Sequence, residues 1–128
     1  MEFDTSSPIW LQIMSEFRRR LVAGELAPGE RLSGVRDLAA EMGVNPNTVQ
    51  RAMAELEREG LVYTERAQGR FATTDPEIIA RLRHDVATAA ADQFIDQTQG
   101  AGMTRTQAQT ILDSRWNERE AQLRNGKE

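Results

Sequence analysis

The side chains best suited to chemistry in this sequence are amides and guanidinium groups, and they are gathered in one short stretch. From residue 45 the chain reads Asn45-Pro46-Asn47-Thr48-Val49-Gln50-Arg51-Ala52-Met53-Ala54-Glu55. Asparagine, glutamine and arginine can each offer two hydrogen bonds to the edge of a base, and threonine suits a phosphate oxygen or a thymine methyl. The chemistry on offer is recognition, not bond breaking. There is no cysteine, which excludes disulfides, thiolate zinc sites and cysteine nucleophiles. The one histidine, His84, has Asp85 and Asp92 near it in sequence. A metal centre needs several converging ligands, and a histidine on a helix surface or at an interface is the plainer reading. No Ser-His-Asp arrangement with glycine turns and no phosphate loop is present. The residues therefore imply no enzyme, no metal and no cofactor.

For these polar groups to face one way, the residues between them must lie on a helix. Val49, Ala52, Met53 and Leu56 fall at i, i+3, i+4 and i+7 and define its buried face. Asn47, Thr48, Gln50, Arg51 and Glu55 are left on or near the outer side. Asn45 is suited to cap this helix and Pro46 to be its first residue, and the helix N-terminus itself favours a phosphate. A shorter helix over Val35 to Met42 precedes it, with Leu38, Ala39 and Met42 inward and Gly43 as its stop. Ala39, Gly43 and Val49 meet the three needs of a helix-turn-helix: a small residue at the crossing, a tolerant turn and an apolar lock.

Around this pair, Ser7-Pro8 predicts the start of a first helix, with Ser7 as cap and Ile9, Ile13, Phe17 and Leu21 as its apolar face. Gly24 is its stop, Leu26-Ala27-Pro28-Gly29 reads as a turn, and Leu32 should return to the core. Leu61–Thr64 and Arg70–Thr74 have strand character around a turn at Arg66-Ala67-Gln68-Gly69, so they read as a β-hairpin wing.

Asp75-Pro76 marks a boundary between residues 1–75 and 76–128. Beyond it one helix is expected over about Glu77 to Gln97, with Ile78, Ile79, Leu82, Val86, Ala90 and Phe94 along one side. After Gly100-Ala101-Gly102 a second begins at Thr104, where Gln107 completes a capping-box pattern. Ile111, Leu112, Trp116 and Leu123 give it an apolar side, and Asn125 to Glu128 should fray. Two such helices cannot enclose a useful core alone. Pairing with a second chain would cover Ile79, Leu82, Val86, Phe94, Ile111, Leu112 and Trp116, and a two-fold dimer matches a palindromic DNA site. Packing of these helices on their own wing is the open alternative.

Charge bears on the same question. The net charge is −4, residues 1–75 hold nine arginines against 12 acidic residues, and residues 76–128 hold seven basic against eight acidic. A DNA-binding surface on such a chain requires charge sorted by face. Arg18-Arg19-Arg20 point in three directions on a helix, so solvation is the expected fate of that triplet. No apolar run approaches the roughly 20 residues of a membrane span, and the opening MEFDTSSPIW has no apolar signal core. Cytoplasm is the expected location.

The pattern as a whole resembles the DNA-binding domain of the GntR family. The resemblance is carried by Gly24-Glu25-Leu26-Ala27-Pro28-Gly29-Glu30-Arg31-Leu32, Val35-Arg36-Asp37-Leu38-Ala39, Gly43-Val44-Asn45-Pro46-Asn47-Thr48-Val49-Gln50-Arg51-Ala52 and Glu55-Leu56-Glu57-Arg58-Glu59-Gly60-Leu61, with Pro8-Ile9-Trp10-Leu11-Gln12-Ile13 before them. It covers roughly residues 8–74. It implies that Arg36 contacts DNA backbone or a base, that Asn47, Thr48 and Arg51 sit on the recognition helix, and that Gly69 lets the wing tip approach a minor groove beside Arg66, Gln68 and Arg70. Two departures touch these contacts. Ser33-Gly34 stands where the family has Pro-Ser, and Ala67-Gln68-Gly69 where it has Gly-x-Gly. Alanine tolerates positive φ poorly, so the wing turn is expected to be reshaped. The short tail resembles the YtrA-type subfamily, whose two helices pair across a dimer.

The expected fold is thus mostly α with a small β-hairpin: an N-terminal winged helix-turn-helix followed by two C-terminal dimerisation helices. The expected function is a dimeric transcription regulator, read as a repressor, binding a palindromic operator on double-stranded DNA through helix 46–59. Release by a small-molecule effector is compatible with this, although no effector pocket is legible. A winged-helix protein-interaction module without DNA binding is the alternative, and steep salt dependence of DNA binding would separate the two.

Overall fold

The computed structural model describes residues 1–126, and it departs from the sequence reading first at the start of helix α1 (Ile9–Ala23). Pro8, in an extended conformation, is the N-cap and no side chain caps the helix. Ser7 is not the cap because Gln12 ties down the segment before it. The Gln12 amide donates to the carbonyl oxygens of Asp4 (3.0 Å) and Ser7 (2.8 Å), and its Oε1 accepts the Asp4 N–H (3.1 Å). Phe3 is thereby folded onto the core. The Asp4 carboxylate accepts the Ser6 hydroxyl and N–H, which lowers its pKa. Ile9 is 40% exposed, and the buried set is Ile13, Met14, Phe17 and Leu21. A strict four-residue repeat drifts about 40° round the helix at each step, so Ile9 rotates off the core while Met14 rotates onto it.

Helices α2 (Val35–Met42) and α3 (Pro46–Arg58) form the expected pair. Gly43 takes the left-handed turn between them at φ 68°, and the Val44 N–H closes on the Ala39 carbonyl at 3.0 Å. Val49, Ala52, Met53 and Leu56 are essentially inaccessible and pack with Ile13 of α1 and Val62 of the wing. A substitution on that face would act through folding, not through recognition.

The wing is an antiparallel hairpin of β1 (Val62–Glu65) and β2 (Gly69–Ala72). Tyr63 and Phe71 stack across it with ring centroids 5.6 Å apart. The segment read as turn and core return, residues 29–32, lies along the other edge of β2. The Gly29 N–H reaches the Ala72 carbonyl (3.0 Å), the Ala72 N–H reaches Glu30 (2.9 Å), and the Leu32 N–H reaches Arg70 (2.9 Å). This covers an edge that a lone hairpin would leave unpaired.

Helix α4 (Pro76–Gly100) starts at the expected boundary, where Asp75 Oδ1 accepts the Glu77 N–H at 2.9 Å. The compact units divide later, inside α4: one spans Met1–Val86 and the other begins at Ala87. In the first unit Ile78 packs against the core and Leu82, 8% exposed, is part of it. Leu82, expected between two chains, is instead used within its own, because it follows Ile78 by four residues and falls on the same face. Ile79 is half-buried and Val86 exposed.

The second unit contains the rest of α4 and α5 (Arg105–Asn125). Both hydrogen bonds of the Thr104–Gln107 capping box form, at 3.2 and 2.9 Å. Helix α5 remains helical through Asn125, where fraying was expected; Lys127 and Glu128 lie outside the described residues. No residue of α5 is buried. Between the α4 segment and α5 lies a groove of about 810 Å³ lined by Ala87, Ala91, Phe94, Ile95, Leu112 and Trp116, among others. Trp116 is 63% exposed, with its indole N–H donating to Glu120 at 3.1 Å.

Candidate nucleic-acid interface

The amide of Asn45 caps α3 by accepting the Asn47 N–H at 2.8 Å. Its carbonyl oxygen is thus occupied in the chain's own structure, while its NH2 remains a donor. Asn47, Gln50 and Arg51 are exposed and Thr48 is half-buried, so α3 presents the polar side that its spacing implied. Glu55 lies four residues after Arg51, within reach of an ion pair, but its carboxylate engages Arg58 at 3.2 Å.

The arginines of residues 1–75 divide into two groups. Arg18, Arg19, Arg20 and Arg58 are all engaged by carboxylates. Arg18 makes a bidentate contact with Glu59 (2.6 and 2.8 Å), Arg19 bridges Glu16 and Glu25 (2.8 Å each), and Arg20 meets Glu16 at 3.1 Å. Hydrogen bonding from Arg19 above all, with help from Arg20, pulls the Glu16 pKa down to about 2. The triplet 18–20 is therefore neutralised, not merely solvated. Among the described residues, Arg31, Arg36, Arg51, Arg66 and Arg70 make no ion pair. These five lie on or beside α2, α3 and the wing. Within residues 1–75, where acidic residues outnumber basic ones, the unneutralised cations thus lie on or beside the elements that carry the recognition side chains.

Arg36 is exposed in the first turn of α2 and is paired with neither Asp37 nor Glu41. The altered Ser33-Gly34 makes Gly34 the N-cap, with no side-chain cap hydrogen bond. In the wing, the Gln68 N–H closes a turn on the Glu65 carbonyl at 3.0 Å, and Ala67 stands at φ 67°. A four-residue turn with positive φ at its third residue favours glycine there. Ala67→Gly should therefore raise stability by about 0.5–1 kcal/mol, since relief of the left-handed strain exceeds the added freedom of the unfolded chain. Chemical denaturation of the two proteins measures this, and an unchanged or lower midpoint would show the turn to be unstrained.

Gly69 has a use inside the chain as well. A Cβ at this position would lie 3.2 Å from Arg31 Nε, and φ is 115°. The absent side chain lets the Arg31 guanidinium lie against the tip end of β2. Arg66 and Gln68 are exposed at its tip, and Arg70 is half-buried with an unpartnered Nε.

Two residues of this surface escaped the sequence reading as contributors. Arg31 reaches the wing only because residues 29–32 run beside β2. Trp10, on the first turn of α1, lies under the Arg51 guanidinium, 4.1 Å from its carbon to the ring centroid. No periodicity within α3 reveals a partner on another helix; the only trace was Trp10 within the Pro8–Ile13 pattern.

Of the residues expected between chains, Phe94, Leu112 and Trp116 share the groove of the second unit; Ile111 is exposed but does not line it, and Ile79, Leu82 and Val86 belong to the first unit. His84 Nδ1 is 3.8 Å from Asp85 with both side chains exposed, and no group of three or more potential metal ligands occurs among the described residues. No helix among them is long and apolar enough to cross a membrane.

Residues 10–71 match the family model described as bacterial regulatory proteins, gntR family. The chain is 40% identical over 104 residues to the uncharacterized HTH-type transcriptional regulator YhcF of Bacillus subtilis, covering 81% of this chain and 86% of YhcF. It is 42% identical over 67 residues to the HTH-type transcriptional repressor YtrA of the same organism, covering 52% of each. A solved GntR family transcriptional regulator from Listeria monocytogenes superimposes with a TM-score of 0.80 at 35% identity, over 88% of this chain and 98% of that one.

Proposed function

Because the chain belongs to the gntR family of bacterial regulatory proteins and carries its DNA-binding helix-turn-helix, we propose that it acts as a dimeric repressor on a palindromic operator. In this reading α3 enters the major groove. Asn47, Gln50 and Arg51 address base edges, with Thr48 and the Asn45 amide at the groove margin. Arg36 and Arg31 take phosphates, and Arg66, Gln68 and Arg70 follow the wing to the adjacent backbone or minor groove, where Gly69 keeps the approach close. The observation that carries the proposal is the sorting of the nine arginines of residues 1–75: five without an ion pair lie on or beside α2, α3 and the wing, while the other four are held by carboxylates. A protein-interaction module has no use for that sorting. A cytoplasmic location follows from the DNA it would act on.

Dimerisation rests on the second unit, where apolar side chains of α4 and α5 line an open groove. A second chain's helices would cover it, in the YtrA-type arrangement, and would set two recognition helices in two-fold symmetry. The repressor sign is supported by the name of the B. subtilis relative YtrA.

The test is selection of bound duplexes from a random pool, with and without cell extract to supply an effector. A two-fold symmetric consensus is expected, with log affinity falling by several units per log unit of salt as the arginines displace counterions. Recovery of no symmetric site under either condition would overturn the reading.

A further inference from the structure

Arg51 is one of the five arginines of residues 1–75 without an ion pair, yet it is not loose: its guanidinium lies 4.1 Å over the Trp10 ring. We propose that Trp10 is a positioning residue for DNA readout, its indole face holding the Arg51 guanidinium so that the N–H edge is presented ready-made to a base or phosphate. This rests on the reading of α3 as the DNA-contacting helix and extends the recognition surface to α1.

The choice of partner matters. A carboxylate would restrain Arg51 equally well, but it would cancel the charge and occupy its donors, as Glu59 does at Arg18. An aromatic face attracts the cation through its quadrupole and accepts no conventional hydrogen bond, so all five N–H groups stay available. The one acid spaced to compete, Glu55, is engaged by Arg58. The platform is itself anchored: Trp10 is half-buried and packed against the core, and α1 packs directly on α3. A side chain restrained before binding loses less freedom on contact than one ordered by the DNA.

The experiment is a double-mutant cycle on the selected duplex, with Trp10→Tyr, Trp10→Phe and Trp10→Leu each made alone and in the Arg51→Ala background. Leucine keeps an apolar side chain at the site and removes the π face. Expected affinity falls in the order Trp, Tyr, Phe, Leu, with Trp10→Leu about threefold to tenfold weaker than wild type. In the Arg51→Ala background the whole series should agree within about twofold, because the partner is gone. Trp10→Leu should also relax base preference at the same operator position as Arg51→Ala. A purely structural Trp10 would instead weaken binding equally in both backgrounds, and a Leu variant matching wild type would likewise overturn the proposal. If Asn47→Ala abolishes binding while Arg51→Ala is neutral, the reading of α3 survives and the role of Trp10 falls. If the wild-type chain selects no duplex, both fall. Should the leucine protein fail to fold, the Tyr and Phe arms of the same cycle decide.

Discussion

Asn47→Ala combined with Arg51→Ala should lower affinity for the selected duplex by about a hundredfold or more, while leaving weak, sequence-independent binding. Each bidentate contact to a base is worth about 1–3 kcal/mol of discrimination, and the two residues lie four apart on the exposed side of α3. Neither side chain belongs to the buried set Val49, Ala52, Met53 and Leu56, so thermal unfolding should move little; surface substitutions of this kind usually fall within about 0.5 kcal/mol. The salt slope should fall by about one unit if the lost Arg51 contact is to phosphate and by much less if it is to a base. Arg36→Ala is the informative companion. A phosphate contact there weakens binding to all duplexes alike, whereas a base contact weakens the selected one. Competition titrations at two salt concentrations measure both quantities. Retention of wild-type selectivity by the double variant would remove α3 as the reading element.

The second large effect belongs to the groove of the second unit. Phe94→Asp should convert the protein to a monomer at concentrations where the wild type is a dimer, and should lower affinity for a two-fold symmetric site by at least tenfold. An aspartate on the buried face of a helix–helix contact must either lose its water or keep the partner away, and burying an unpaired carboxylate is costly. Phe94 shares this groove with Leu112 and Trp116, so Trp116→Asp should act in the same direction. Since Leu82 is the buried residue of α4 and no α5 residue is buried within one chain, neither substitution removes a buried core side chain, and unchanged helical content by circular dichroism separates dissociation from unfolding. Sedimentation at several concentrations reads the association. A Phe94→Asp protein that stays dimeric would place the contact elsewhere, with exposed Val86 and Ile111 the next residues to charge.

Much of this surface was legible because its information is local. The spacing of Val49, Ala52, Met53 and Leu56 decides which side of α3 is buried, and therefore that Asn47, Gln50 and Arg51 are outward. Gly43 marks the turn because only a residue at ease with positive φ fits there, and the Thr104–Gln107 box lies within one helical turn. Where the local signal was ambiguous, the reading slipped. Ser7 looked like a cap because its type suits one, but Gln12 uses its amide to hold the segment before the helix. Ile9 looked buried because a four-residue repeat mimics a helical stripe over one turn and drifts from it over three.

What the sequence by itself determined is the set of elements, the side of α3 that faces out, and the inventory of groups able to recognise a base or phosphate. Those follow from backbone and side-chain preferences acting over a few residues. Only the tertiary structure decided which charges are left unpaired. Arg18 is neutralised by a glutamate 41 residues away, whereas Arg51 rests on the ring of a tryptophan on another helix. Residues 29–32 bring Arg31 to the wing by pairing with β2, and Leu82 is claimed by its own core. Each of these depends on two segments meeting in space, and the strength of a charge at a surface is set by what lies within a few ångströms of it, whatever the distance along the chain.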